Sequence, residues 1–226
     1  MALTDAHCHK ACGESRCFLC SPFALPLPPG AIAFHGAHPW HLDSFDEAGL
    51  RSRLESDRSA GVGEIGLDRL RERTISPLMR EVFLRQLEIA AEFARPVVLH
   101  GAKCWGEVVK ACRPFAGAIP AFLFHGFSRS DGLLPDIEKM NGYISVGPAL
   151  LNSHALNYCE LARRIPAHML LVETDRTDLS PDDLPSVDAI AARLAELRGV
   201  AFDELSAVLE DNASRFCAPL ALEGQI

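Results

Sequence analysis

The sequence begins with two histidines at a spacing that suits metal binding. Asp5, His7 and His9 alternate with smaller residues in a stretch that predicts a strand over 3–9. Side chains at positions i, i+2 and i+4 of a strand lie on one face, so the two imidazoles are expected to point together. Imidazole nitrogens are common ligands of divalent metal ions. A lone His-x-His motif also fits two ordinary histidines, so the interpretation depends on other residues.

A glutamate within an apolar segment supports the metal interpretation. Glu64 lies in the run Gly-Val-Gly-Glu-Ile-Gly-Leu-Asp at 61–68. Burying a carboxylate is costly unless it is paired or binds a metal, and the alternative is an exposed edge strand. His100, His125 and Asp175 each follow a later apolar segment. Four histidines and two carboxylates of this kind predict a hydrolytic site for Zn, Mn or Mg.

The elements that must position these residues follow from the hydrophobic pattern. Short apolar runs alternate with longer amphipathic stretches, which predicts strands and helices around a parallel sheet. Seven strands are expected, at 3–9, 31–34, 62–67, 97–99, 122–124, 142–147 and 169–173. Helices are expected at 46–59, after Ser76, and at 105–113, 155–164, 186–198 and 202–216. In a barrel the carboxyl ends of parallel strands lie on one face, where the predicted ligands would converge.

Composition sets the class of protein. The 226 residues are 48% hydrophobic and carry 22 basic against 30 acidic side chains, a net charge of −8. This predicts one globular domain over 1–226 and argues against a disordered chain, a membrane protein or a broad basic surface for nucleic acid. The first residues lack a secretory signal, so a cytoplasmic protein with eight reduced cysteines is expected.

The ligand set also predicts a mechanism. If Glu64 bridges two ions about 3.5–4 Å apart, the remaining ligands divide into two groups. These groups are His7, His9 and Asp175 for one ion, and His100 and His125 for the other. Asp175 would then accept a proton from a metal-activated water. No serine lies in a nucleophile-elbow motif and the sequence has no P-loop, so metal chemistry fits better than a catalytic triad.

An ordered series of motifs covers nearly the whole chain and resembles the TatD family. The motifs are Asp-Ala-His-Cys-His at 5–9, Gly-Ala-His-Pro at 36–39, Gly-Glu-Ile-Gly-Leu-Asp at 63–68, Val-Val-Leu-His at 97–100, Phe-His-Gly-Phe-Ser at 124–128, Leu-Leu-Val-Glu-Thr-Asp at 170–175 and Asn-Ala-Ser-Arg-Phe at 212–216. The resemblance implies a metal-dependent hydrolase of the amidohydrolase superfamily with a TIM-like (β/α) barrel. Several members are deoxyribonucleases, so DNA or another phosphodiester is the expected substrate.

The resemblance also implies roles for individual residues. It assigns one ion to His7, His9, Glu64 and Asp175, and the second to Glu64, His100 and His125. Asp175 and Glu64 would be the catalytic carboxylates, and His38 would line the substrate pocket. Members usually carry an arginine shortly after the histidine at 100, whereas this chain has Gly-Ala-Lys, so Lys103 is expected to replace it. Arg69 either grips a phosphate or belongs to a solvated loop.

The segment 11–30 departs most from the family pattern. It is rich in proline and cysteine where the family has a helix, a strand and a second helix. The missing strand–helix unit predicts a distorted, seven-stranded or incompletely closed barrel, with 11–30 covering the open seam. Cys17 and Cys20 have the spacing of a zinc knuckle, but no second cysteine pair or suitable histidine pair follows, so buried thiols explain them adequately. Trp40 either stacks on a nucleobase or fills space.

These departures leave three hypotheses for the function. The first is a TatD-type deoxyribonuclease or phosphodiesterase. The second is a metal-dependent hydrolase of a small amide, lactone or phosphoester, because basic and histidine positions differ from the family pattern. The third is a metal-binding remnant without catalysis, because a strand–helix unit is expected to be missing.

Overall fold

The computed structural model describes residues 3–11, 16–20, 27–181 and 183–222. Eight parallel strands form one sheet in chain order: β1 (Asp5–Cys8), β2 (Cys17–Cys20), β3 (Ala31–His35), β4 (Gly61–Asp68), β5 (Val97–Ala102), β6 (Phe122–Phe124), β7 (Gly142–Val146) and β8 (Leu170–Val172). The helices of these ranges are α1 (Glu47–Ser56), α2 (Pro77–Glu92), α3 (Trp105–Cys112), α4 (Leu134–Lys139), α5 (Leu156–Arg164), α6 (Val187–Arg198) and α7 (Phe202–Cys217). The predicted α/β barrel of TIM type is therefore confirmed.

The eighth strand is β2, and the expectation of seven strands is wrong. Cys17–Cys20 pairs in parallel with β1 on one side and with β3 on the other. All four of its residues are buried, so the strand lacks the alternation of a half-exposed strand. Because prolines follow this strand, the sequence pattern predicted an irregular segment and did not indicate so short a strand.

The segment 11–30 therefore does not cover an open seam, because its residues 17–20 belong to the sheet itself. Residues 12–15 and 21–26 lie outside the described residues. The described parts of 9–30 contain no helix, and the strand of the family pattern is present as β2. Cys17 and Cys20 are buried free thiols, and no cysteine of the described chain belongs to a metal-capable group.

The barrel closes where the first strand meets the residues that follow the last one. The Asp175 N–H donates to the His7 carbonyl over 3.0 Å, and the His9 N–H donates to the Arg176 carbonyl over 2.7 Å. Below them, the Thr174 N–H and hydroxyl donate to the two carboxyl oxygens of Asp5, over 2.9 and 2.5 Å. These bonds hold together residues that are far apart in the chain.

The structure has a large hydrophobic core between the strands and the helices, and a second core cluster in which aromatic side chains pack together. The centroid of the Phe216 ring, in α7, lies 5.3 Å from the ring centroid of Phe18, 5.9 Å from that of Phe34 and 5.6 Å from that of Tyr143. All four side chains are buried. The cluster thus joins α7 to β2, β3 and β7. None of the helices in the described ranges is long and apolar enough to span a membrane.

Candidate metal centre

The centre is built around Glu64, which is almost fully buried in β4 with 1% of its surface exposed. Its Oε1 lies 2.6 Å from His100 Nδ1 and 2.6 Å from His125 Nε2. Its Oε2 lies 3.5 Å from His7 Nε2 and 3.2 Å from His9 Nε2. The two oxygens of one carboxylate thus face two pairs of histidines, which is the arrangement that a bridging ligand requires.

The structure brings all six predicted ligands together, and His38 joins them. Three groups have ligand atoms within 4.8 Å of one another: His7, His9 and Asp175; His7, Glu64 and His125; and His38, Glu64 and His100. His38 Nε2 lies 3.7 Å from Glu64 Oε1, although it was predicted to contact substrate. His7, Glu64 and His100 lie within strands, and the other ligands lie in the loops that follow strands. They meet because the carboxyl ends of parallel strands in a barrel lie on one face.

An unpaired atom tests whether these residues fit a metal ion. His7 is fully buried, and among the described residues its Nε2 has no hydrogen-bond partner. The atom points to Glu64 and to Asp175 Oδ1, which is 3.4 Å away. A buried imidazole nitrogen without a partner is unfavourable, whereas a divalent ion would use its lone pair. The donor set of imidazoles and carboxylates therefore fits one or more divalent ions.

Comparison with known proteins identifies the chain. The family model of TatD-related DNases matches residues 25–218. The chain belongs to this family. It is 27% identical over 192 residues to the uncharacterized metal-dependent hydrolase YabD of Bacillus subtilis, which covers 82% of this chain and 75% of that protein. It is 29% identical over 221 residues to the 3'-5' ssDNA/RNA exonuclease TatD of Dickeya dadantii, which covers 91% of this chain and 82% of the relative.

The fold comparison agrees with the family assignment. The crystal structure of YjjV, a TatD homologue of Escherichia coli K12, has a TM-score of 0.79 and 22% identity, and the match covers 95% of this chain and 97% of that one. The protein is accordingly a metal-dependent hydrolase of the TatD family, as its sequence motifs predicted. The hypothesis of a metal-binding remnant without catalysis loses its main support, since the barrel has all eight strands.

Charge in this TatD centre is distributed so that the carboxylates stay ionised. Burial would raise the pKa of Glu64, but the charges of His125, His7 and His100 outweigh it and hold the pKa well below its ordinary value. Burial opposes ionisation of Asp175 as well, but the nearby imidazoles of His7 and His125 lower the pKa overall. Burial lowers the pKa of His38 to about 3, so its imidazole is neutral and keeps a lone pair.

The second nitrogens of two ligand histidines, His100 and His7, also have partners, which sequence analysis missed. Asp68 Oδ2 lies 2.8 Å from His100 Nε2. Cys20 Sγ lies 3.3 Å from His7 Nδ1, whereas Glu173 Oε1 lies 3.7 Å from His125 Nδ1, too far for a hydrogen bond. Such partners fix which ring nitrogen carries the proton and orient the other one toward the metal. Asp68 shares a motif with Glu64 and Glu173 precedes Asp175 by two residues, so both had a sequence signal; Cys20 had none.

Two clefts open from the centre to the surface. The β5 cleft, of about 770 Å³, is lined by residues that include His100, Lys103, Glu107, His125, Arg129 and Asp175. The β7 cleft, of about 430 Å³, is lined by residues that include Arg129, His154, Asn157, Tyr158, Glu173 and Asp175. Asp175 lies in both, with 50% of its side chain exposed. The centre is therefore accessible from two sides.

The predicted basic contacts occupy different positions relative to these clefts. Lys103 lines the β5 cleft. Arg69 is not among its lining residues, and its guanidinium donates to Glu107 over 3.2 Å and to the Arg73 carbonyl over 3.2 Å. Trp40 is 40% exposed, and the Arg71 guanidinium lies 3.9 Å from its ring centre. Trp40 therefore lies at the surface beside His38 and does not fill the core.

Proposed function

We propose that this hydrolase cleaves phosphodiester bonds in single-stranded nucleic acid, with DNA as its main substrate. The proposal rests on the geometry around Glu64, whose two oxygens face two sets of imidazoles at 2.6–3.5 Å. Relatives that include the Dickeya dadantii protein are named as exonucleases on single-stranded DNA and RNA. The two clefts that meet at Asp175 offer room for a chain on either side of the reacting bond.

The ions that fit this centre are one or two divalent cations, with Zn, Mn and Mg as candidates. One would be held by His7, His9, Glu64 and Asp175, and a second by Glu64, His100 and His125. When bound, such ions lower the pKa of an attacking water and neutralise charge that develops on the phosphoryl oxygens. Imidazole with carboxylate is a mixed donor set, so availability in the cell selects among the three metals.

The protein groups contribute proton transfer and binding. Asp175 is ionised and half exposed where the two clefts meet, so it is placed to accept the proton of the attacking water. His38 is neutral and its Nε2 lies 3.3 Å from His100 Nδ1, so it either joins the ligands or donates to the substrate. Lys103 would contact a phosphate in the β5 cleft, and Arg69 would do so after leaving Glu107.

A reducing compartment suits this enzyme. The seven cysteines among the described residues are free and buried. Free thiols are typical of the cytoplasm, where glutathione and thioredoxin keep them reduced. We therefore propose that the substrate is cytoplasmic nucleic acid.

The test compares one catalytic and one neighbouring carboxylate. Wild type, Asp175→Asn and Asp178→Asn are stripped with chelator, resupplied with Mn²⁺, Mg²⁺ or Zn²⁺, and incubated with an end-labelled single-stranded DNA oligonucleotide. Asp178 is an exposed residue that pairs with Lys10 over 3.5 Å, so it controls for the loss of a charge nearby. We expect metal-dependent cleavage by wild type and Asp178→Asn, and at least a 100-fold loss in Asp175→Asn, typical of losing a general base.

Two results would contradict the proposal. Cleavage by Asp175→Asn at the wild-type rate would remove that residue from the chemistry. Absence of cleavage by wild type with every metal, together with turnover of a chromogenic small ester or amide, would favour the hydrolase of small substrates. Glu64→Ala, which removes the shared ligand, should lose both bound metal and turnover in either case.

A further inference from the structure

Arg129 occupies a junction on the metal face that neither the ligand set nor the predicted substrate contacts include. It lies in the loop after β6, four residues beyond the ligand His125. It lines the β5 cleft, the β7 cleft and an outer cavity of about 570 Å³ whose other lining residues include Asn157 and Arg164. Among the described residues that line the outer cavity, the only ones with a side chain that commonly binds metal are the surface carboxylates Asp131 and Glu160. The residue thus extends from the metal face toward the periphery.

The backbone at Arg129 adopts a conformation that normally favours glycine. Its φ is +55°, in the left-handed region that strains any residue with a side chain. Among the described residues five that are not glycine have positive φ, and three of them, Lys103, Arg129 and Asp175, line the β5 cleft. Strain of this kind concentrates at sites of function. The other two, Ala94 and Asn141, lie elsewhere.

The charge of Arg129 is available for a ligand. It is exposed and has no ion pair with any residue of the described ranges. Arg164, which lines the same outer cavity, is bound to Asp131 and Glu160 over 2.8 and 3.2 Å. A guanidinium offers paired donors that match two oxygens of a phosphate. A guanidinium without an ion pair, which lies where the two clefts meet beside the metal centre, is therefore suited to bind an anionic strand of nucleic acid.

We propose that Arg129 binds a phosphate adjacent to the scissile one, so that the nucleic acid strand runs from the β5 cleft past Asp175 into the β7 cleft. This inference rests on the proposed function and adds the path of the substrate. We assign Arg129 to the neighbouring phosphate because it lines the outer cavity as well as both clefts. The scissile phosphate, in contrast, must lie at the buried metal ligands. Lys103, on the β5 side, would hold the strand at its other end.

The decisive variant is Arg129→Gly, because glycine suits φ of +55° and the fold should not suffer. We expect KM for a labelled single-stranded oligonucleotide to rise about 10-fold, as for the loss of one charged hydrogen-bonding group. The slope of log KM against log salt should decrease by about 0.7, the value for one phosphate contact on a single strand. Turnover of bis(p-nitrophenyl) phosphate, which has one phosphate, should stay at the wild-type level, and Tm should not fall.

Two matched controls separate the effect of losing the charge from the effect of relaxing the backbone. Ala94→Gly relaxes another left-handed residue, of φ +49°, without removing a charge. Arg80→Ala removes an exposed arginine of α2 that lies outside all three cavities. Both should match wild type in KM and in salt slope. Equal KM in Arg129→Gly and wild type, or equal losses on the oligonucleotide and on the one-phosphate ester, would overturn the inference.

Failure of the proposed function gives a different result from failure of this inference. If wild type does not cleave the oligonucleotide, the proposed function is wrong, and fluorescence anisotropy of the labelled strand then tests Arg129 directly. Binding by wild type that weakens about 10-fold in Arg129→Gly would support the strand path. Equal binding by the two proteins, or no binding by wild type, would refute it.

Discussion

Asp68 controls the proton on His100, and its replacement by asparagine should weaken metal binding. Asp68 Oδ2 lies 2.8 Å from His100 Nε2, while His100 Nδ1 lies 2.6 Å from Glu64 Oε1. Because a carboxylate only accepts hydrogen bonds, it holds the proton on Nε2 and leaves the lone pair of Nδ1 for an ion. The amide of Asp68→Asn can donate to Nε2, which moves the proton to Nδ1 and blocks that lone pair.

The magnitude follows from the contacts that change and those that stay. Asp68 Oδ1 also accepts the N–H groups of Leu70 and Arg71, over 2.6 and 3.2 Å, and the asparagine oxygen can replace it there. The loop therefore keeps its anchor, and the effect should fall on His100. Loss of such a partner typically lowers metal affinity 10–100-fold, or about 1.4–2.8 kcal/mol.

The assay is competition with a chromogenic chelator for Mn²⁺ or Zn²⁺, together with metal content after gel filtration. Asp136→Asn serves as the control, because Asp136 accepts from Arg113 over 2.6 Å far from the centre. We expect the ion that is held by His100 to bind 10–100-fold more weakly in Asp68→Asn and normally in the control. Wild-type affinity and metal content in Asp68→Asn would refute the reasoning about the His100 proton.

Three further predictions concern other parts of the fold. Cys20→Ala removes the group 3.3 Å from His7 Nδ1, so chelator competition should show metal affinity reduced about 10-fold with Tm nearly unchanged. His35 is buried, which lowers its pKa, so the folded state loses stability as pH falls below the ordinary value of 6.5; His35→Gln should reduce the difference in Tm between pH 8 and pH 5. Gly66→Ala would place a Cβ 2.0 Å from a carbonyl oxygen of β5, so it should lower the free energy of unfolding in urea by roughly 2–4 kcal/mol. As a control, the Cβ of Gly106→Ala in α3 would meet nothing within 4 Å, so this variant should raise the free energy of unfolding by about 0.5–1 kcal/mol.

The ligand residues were predictable because each lies in an apolar strand or shortly after one. Glu64 was found because a carboxylate among buried residues needs a partner, and His100 and His125 because their strands end at the same face. The strand β2 was missed because it lies in a segment rich in proline, whereas the shorter strands β6 and β8 were predicted correctly. The helix α4 was missed because its six residues are too few to show a helical period.

Other features depend on contacts between distant parts of the chain and leave no local pattern. Cys20 contacts His7 only because β2 lies beside β1 in the sheet. Arg69 was expected either to bind a phosphate or to lie in a solvated loop, and in the structure its guanidinium binds Glu107 of α3 at the surface. Arg129 carries an unusual φ that sequence composition cannot reveal. Each of these contacts is set by tertiary structure.

The seam of the barrel gives the metal centre a second consequence. His7 belongs to the first strand and Asp175 follows the last, and nearby the Asp5–Thr174 bonds join residues 169 positions apart. Ions shared by His7, His9 and Asp175 would therefore act as a cross-link between the two ends of the chain. Closing so long a loop removes conformational freedom from the unfolded chain, as a disulfide does. In this barrel a bound ion would therefore add to the hydrogen bonds that already join the first strand to the last.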